Sequence, residues 1–210
     1  MERKKIGARR YQSPTREAAA EKTRARLVAA ATRLLRSPTG AQRCSLDAVA
    51  KVARVTRLTV YNSFGSRSAL FEAVFDERAA SGGLGQIAGA MSLPDPSAAI
   101  TAIISIFVDF WTAERVVLRN LYSLGSTDPD LACALAARNE RRRHLFSVLT
   151  ERLSGAGRIN PASSEDLADA LFALTSYGFY ADLAQRGRNA DAIKTLIGTI
   201  AQDAIARYAL

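Results

Sequence analysis

Apolar residues recur three and four positions apart through most of the chain, the spacing of helices that bury one face. Leu27, Ala30, Ala31, Leu34 and Leu35 form the first such stripe. It predicts a helix opened by Ser13-Pro14 and running to about Arg36, where Ser37-Pro38-Thr39-Gly40 stops it. Three short helices follow. Ser45 caps the first, with Asp47 in its positive first turn and Leu46, Val49, Ala50 and Ala53 facing inward. Thr56 caps the second, with Val55 and Val60 at the staple positions on either side. Gly65 ends it, and Ser66 caps the third, whose inner face is Leu70, Phe71, Val74 and Phe75. After the small-residue break Ser81-Gly82-Gly83-Leu84-Gly85, the predicted helices lengthen. One carries Ile100, Ile103, Ile104, Phe107, Val108 and Trp111; its neighbour or continuation carries Val117, Leu118, Leu121 and Tyr122. A third runs from Asp128-Pro129 to about Leu153, a fourth from Asn160-Pro161 to Gly187, and the last from about Asp191 to Tyr208. No segment alternates apolar and polar residues between turn dipeptides, so the chain reads as all-α.

Charge divides this row of helices in two. Residues 1–80 hold 17 Lys+Arg against 7 Asp+Glu, whereas residues 81–210 hold 12 against 13. All of the net +9 therefore belongs to the first 80 residues, the footprint of a module that meets a polyanion. The reading is a basic arm and start of the first helix over 1–22, a compact head over 23–80, and a helical body over 81–210; residues 1–12 lack periodicity and read as a flexible arm. The longest apolar stretch, Ala98 to Val108, is interrupted by Thr101 and Ser105 and ended by Asp109, short of the roughly 18 residues of a membrane span. The basic N-terminus has no apolar core of a signal peptide, and Cys44 and Cys133 follow no metal or redox spacing. Together these point to a cytoplasmic protein with reduced thiols and no membrane partner.

Residues 45–64 have the grammar of a helix-turn-helix: a short helix to about Ala53, a turn of about three residues, and a second helix started by Thr56. The second helix suits a major groove. Arg57 offers a fork to guanine or phosphate, Thr59 a methyl contact to thymine, and Asn62 a bidentate pair to adenine. Ser45, Thr56, Tyr61 and Ser63 complete the expected contact set, with Tyr61 and Ser63 on phosphate, and Arg67 clamps phosphate beside the N-terminal amides of the next helix. The same grammar also occurs in solvated helical hairpins of all-α proteins.

The stretch Cys44-Ser45-Leu46-Asp47-Ala48-Val49-Ala50, then Val55-Thr56, Thr59-Val60-Tyr61-Asn62-Ser63-Phe64 and Ser66-Arg67-Ser68-Ala69-Leu70-Phe71, resembles the signature of TetR-family repressors. Upstream, Thr23, Arg26, Leu27, Ala30, Ala31, Leu34 and Leu35 match that family's first helix, so the resemblance covers about residues 20–75. It implies an all-α homodimer whose three-helix head binds a palindromic double-stranded DNA operator. It also implies a variable C-terminal domain that binds a small-molecule effector and releases DNA, and a four-helix dimer interface built from the last two helices. Two positions depart from the family: Arg54 stands where Gly is usual in the turn, and Arg67 where Lys is usual.

Other chemistries find little support. Gly83-Leu84-Gly85-Gln86-Ile87-Ala88 matches a dinucleotide-binding pattern but follows a helical segment rather than a strand, and reads as a hinge. His144 is the only histidine and stands beside Arg141, Arg142 and Arg143; it reads as a surface residue. No nucleophile motif or metal spacing occurs, so neither an enzyme nor a cofactor is expected. Asp128, Asp130, Glu165, Asp166 and Asp169 read as acids at helix N-termini, and Arg138 with Arg141–Arg143 as a solvated helix face. An apolar effector pocket is expected among Phe107, Trp111, Tyr122, Phe146, Phe172 and Tyr177. Trp111 and Arg115, four apart, read first as a surface cation–π pair and second as a ligand contact. Stripes at Leu167, Leu171, Leu174 and Gly178 and at Ile193, Leu196, Ile197 and Ile200 are the expected dimer faces. The expectation is thus a ligand-responsive DNA-binding repressor; the alternative is a helical structural or interaction protein with a basic head.

Overall fold

The computed structural model describes residues 14–209, so the arm over 1–12 and the Ser13 cap lie outside the described residues. Twelve α-helices and no strand occur among them. The head is α1 (Pro14–Leu35), α2 (Gly40–Arg43), α3 (Leu46–Ala53), α4 (Arg57–Phe64) and α5 (Arg67–Ser81). The body is α6 (Ile87–Met91), α7 (Pro96–Ala113), α8 (Arg115–Gly125), α9 (Pro129–Gly155), α10 (Ser164–Leu174), α11 (Tyr177–Gln185) and α12 (Ala190–Arg207).

Local chemistry sets the head helices. Ser45, Thr56 and Ser66 each accept a hydrogen bond from the backbone N–H three residues on, at Ala48, Thr59 and Ala69. Leu27, Leu35, Val49, Val60, Leu70 and Phe71 are buried together beneath them. Two arginines of α1 hold the far ends of the shorter helices. Arg26 Nη2 donates to Ala53 O at 2.6 Å, and Arg24 Nη1 donates to Ser63 O at 2.9 Å with its guanidinium 4.1 Å above the Phe64 ring. Cations there also oppose the negative helix ends, so part of the head's positive charge is structural.

Several body elements differ from expectation. The small-residue break is a 3-10 turn at Leu84–Gln86 followed by the short α6, with no strand before it. Gly82 is required there, because a Cβ would lie 2.7 Å from the Phe110 ring. α7 spans 18 residues and is long and apolar enough to cross a membrane by composition, yet 56% of it is buried inside the protein. Its hydrophobicity is explained by core packing of residues such as Ile100, Ile103 and Phe110. The expected fourth helix breaks at Thr175–Ser176. Ser176 caps α11 through Phe179 N, and Thr175 O accepts from the Trp111 indole at 3.0 Å. These bonds supply partners for backbone groups at the break.

Head and body meet through a buried amide. Asn120 of α8 donates from Nδ2 to Leu35 O at 2.8 Å and Ser37 O at 2.9 Å, satisfying carbonyls where α1 ends. Gly40 packs against this amide so closely that a Cβ would lie 2.7 Å from Asn120 Nδ2 and 2.8 Å from Leu35 Cα. Elsewhere Ser68 Oγ donates to Asp128 Oδ1 at 2.9 Å, and Arg78 bonds the buried Glu114 at 3.2 Å. α5 is thereby fastened to the body at both ends.

Candidate functional site

The turn between α3 and α4 rests on a left-handed residue. Arg54 has φ 53° and ψ 51°, and its N–H bonds back to Ala50 O and Lys51 O. That conformation costs a non-glycine residue roughly 1–2 kcal/mol, and Arg54 keeps it with its side chain exposed. The turn seats α4 across α3, with Val60 as its buried anchor.

The outer face of α4 carries Arg57, Leu58, Tyr61 and Asn62, all exposed. Arg57 pairs with Asp47 at 3.1 Å, with both side chains about two-thirds exposed. Such a pair contributes little in water and leaves Arg57 able to turn to another anion. Tyr61 is 58% exposed and Leu58 65%. Leu58 was not among the expected contacts; its position three residues before Tyr61 and four before Asn62, on one helix face, is the sequence signal that marks it.

The remaining expected contacts are occupied within the head. Ser45 and Thr56 are exposed, and their hydroxyls cap helices. Thr59 is half-buried and its hydroxyl lies 2.9 Å from that of Thr56; Ser63 is half-buried and donates to Thr59 O at 2.8 Å. Arg67 starts α5 with its guanidinium 5.2 Å from the Phe71 ring. Its Nε is buried without a partner among the described residues.

In the body, a cavity of about 290 Å³ lies between α5, α7, α8 and α9. Phe75, Phe107, Trp111 and Tyr122 form its aromatic wall, with Arg138, Arg141 and Arg142 of α9 around it. A larger cleft of about 720 Å³ runs between α1 and α5, but Arg24, Arg33, Arg36, Glu21 and Glu77 make it a charged groove of the head. Of the expected effector contacts, the body cavity takes Phe107, Trp111 and Tyr122 only. Phe146 is buried in the core. Phe172 lies under the Arg142 guanidinium at 4.2 Å, and Tyr177 stacks on Tyr122 at 5.0 Å. Arg115 is exposed and forms no cation–π pair with Trp111 among the described residues. Trp111 stacks instead on Phe107, at 5.7 Å.

The basic run on α9 is a solvated face only at Arg141. Arg138 bonds Asp76 at 2.7 Å, Arg143 bonds Asp169 at 2.6 Å, and Arg142 is 5% exposed. Leu131, Leu135, Arg138, Arg142, Phe146, Leu149 and Leu153 follow one another at steps of three and four, so the run's own periodicity places Arg142 on the inner stripe. His144 is exposed, and no group of three metal-ligating side chains occurs among the described residues.

The dimer stripes divide. Leu167, Leu171, Ile193 and Ile197 are fully buried against their own protomer. Leu174, Leu196 and Ile200 are half-buried, and Gly178 is exposed.

Residues 27–74 match the family described as bacterial regulatory proteins, tetR family. No curated protein matches the chain. Solved structures with the same fold include a putative TetR-family transcriptional regulator from Mesorhizobium loti, 16% identical, with TM-score 0.70, covering 91% of this chain and 98% of that one. NalD, the secondary repressor of the MexAB-OprM multidrug efflux pump in Pseudomonas aeruginosa, is 21% identical, with TM-score 0.67, covering 88% and 97%. A putative transcriptional regulator from Saccharomonospora viridis, solved in complex with choline, is 15% identical, with TM-score 0.69, covering 87% and 96%.

Proposed function

We infer that this chain, a DNA-binding transcriptional regulator of the tetR family, works as a homodimeric repressor that leaves a palindromic operator when a small molecule enters its body. The observation that carries this reading is the position of α5. Its N-terminus carries Arg67 beside the recognition helix α4, and Phe75, Asp76 and Ala79 near its other end form part of the cavity wall. One rigid helix therefore touches both the reader and the pocket.

On DNA, α4 lies in the major groove with Arg57 and Asn62 at base edges and Leu58 against apolar base surface. Tyr61 and Arg67 meet phosphate, with the Arg67 guanidinium at the N-terminus of α5. Ser45, Thr56, Thr59 and Ser63 act mainly by holding the helix, with Ser45 and Thr56 near enough to the surface to touch the backbone. The half-buried Leu174, Leu196 and Ile200, with Gly178 allowing close approach, form the dimer face across the last helices. Two heads on half-sites spaced in steps of roughly 34 Å tolerate little change in separation, so a small tilt of α5 is enough to weaken binding. A typical coupling of about 1–3 kcal/mol changes affinity on the order of 5–150-fold.

The test is fluorescence anisotropy against the DNA upstream of its own gene, with a salt titration. Tyr61→Ala is expected to weaken binding to every sequence with the salt slope little changed, because the lost phosphate contact is uncharged, whereas Arg67→Ala is expected to lower the slope by about 0.9. Asn62→Ala is expected to relax specificity at one position by roughly 1–3 kcal/mol. Operator binding untouched by both α4 substitutions would remove α4 as the reader.

A further inference from the structure

The body cavity has an unbalanced charge. Arg142, on its wall, is 5% exposed, and no carboxylate lies within ion-pair distance of it among the described residues. Its Nη1 donates to Phe172 O at 2.6 Å and to Thr175 Oγ1 at 2.8 Å, and its Nη2 reaches Asn139 Oδ1 at 3.5 Å. All three acceptors are neutral. The Nε–H is buried and has no acceptor among the described residues. The bond to Phe172 O caps the end of α10, where the helix dipole offsets a fraction of the charge. It leaves Nε unanswered, and a buried cation without a counter-charge is disfavoured.

The neighbouring groups do not cancel it. Asp76 is the one acid on the cavity wall, and Arg138 already engages it. Burial pushes the Tyr122 hydroxyl above its ordinary range, so it stays neutral at pH 7. Burial lowers the Arg142 guanidinium to about 10, which leaves it cationic at neutral pH. Arg141, exposed at the rim, has no acid partner among the described residues.

Resting on the reading of this cavity as the effector site, we propose that its ligand is a small organic monocarboxylate. The carboxylate pairs with the Arg142 guanidinium on the cavity wall, with Arg141 drawing it in, and an aromatic or short aliphatic body lies against Phe107, Trp111 and Tyr122. A cavity of about 290 Å³ limits the ligand to a small molecule of the size class of benzoate or phenylacetate. The positive charge and weak hydration of guanidinium suit a carboxylate better than a cation or an alcohol.

Trp111 is the chain's only tryptophan and lies on the cavity wall, so its fluorescence reports this site alone. Benzoate, phenylacetate and hexanoate are titrated into the full-length protein beside benzyl alcohol, benzamide and choline. Saturable changes in Trp111 emission are expected with the carboxylates only. Arg142→Gln is expected to weaken carboxylate binding about 10–100-fold, the worth of one charge-assisted hydrogen bond, and to erase the preference over benzamide. Arg141→Gln, an exposed substitution that does not threaten the fold, is expected to weaken it more modestly and make it less salt-dependent. Neutral or cationic ligands binding as well as the carboxylates, or no Trp111 response to any carboxylate, overturns the proposal. Operator competition separates the two readings. Carboxylates that bind at Trp111 without releasing DNA uphold the ligand class and remove the effector role. Release by neutral compounds that perturb Trp111 does the reverse.

Discussion

Replacing Asn120 by leucine removes one amide from the head–body junction and leaves its shape nearly unchanged. The residue is 3% exposed, and its Nδ2 is the donor to both Leu35 O and Ser37 O. A buried polar group left without a partner costs about 1–3 kcal/mol. The Ser37 contact is only part-buried, so water recovers some of its loss. The sum expected for Asn120→Leu is about 2–4 kcal/mol, or a fall of roughly 5–15 °C in Tm for a chain of this size. Urea unfolding followed by circular dichroism reads it as a lower midpoint at unchanged slope. Arg119→Ala is the control, because Arg119 is exposed and only 3.4 Å from Pro38 O; it is expected to change stability by less than about 0.5 kcal/mol. Gly40→Ala drives a Cβ into the same amide and the α1 backbone, at an expected cost of about 1–3 kcal/mol. An Asn120→Leu protein as stable as the Arg119→Ala control would show that α1's end is satisfied by water and that the amide is not what joins head to body.

Arg54→Gly relieves a left-handed residue worth roughly 1–2 kcal/mol but adds unfolded-chain entropy of about 0.5–1 kcal/mol, so a net stabilisation of about 0.5–1 kcal/mol is expected in urea; a lower midpoint would contradict the strain. Leu196→Glu with Ile200→Glu, on half-buried positions, is expected to yield folded monomers by light scattering, and an unchanged dimer would move the interface elsewhere. The Arg78 guanidinium bonded to Glu77 holds that carboxyl below the usual carboxylate range. Its contribution is therefore full above that range and lost as pH falls below it, so Glu77→Gln is expected to lower stability at pH 7 and leave it nearly unchanged at pH 3, read by urea midpoints. Burial pushes the Cys44 thiol up to about 12 whereas Cys133 is exposed, so a thiol reagent is expected to label one cysteine in the native protein and two after unfolding, counted by mass spectrometry.

The head was readable from the chain because its determinants are local. Ser45, Thr56 and Ser66 bond backbone only three residues away, and Val60 and Leu70 lie on the inner faces that helical spacing assigns them. The departure at Arg54 was visible in the chain, but that it keeps a left-handed backbone there was decided by the structure. The body was readable as helices in order, and Phe107, Trp111 and Tyr122 of its cavity were among the expected residues, but the long-range bonds around the cavity were not. Thr175 O takes the Trp111 indole from 64 residues away and Thr175 Oγ1 takes Arg142 from 33, and these bonds accompany the break in a helix whose sequence runs on. Asn120 closes the junction on Leu35 across 85 residues. Arg142 has the helical spacing of a core position and the side chain of a surface one. Packing against α7 and α10 resolves that conflict, because a guanidinium stays inside only where neighbouring acceptors and aromatic faces surround it, here Phe172 O, Thr175 Oγ1 and the Phe107 and Phe172 rings.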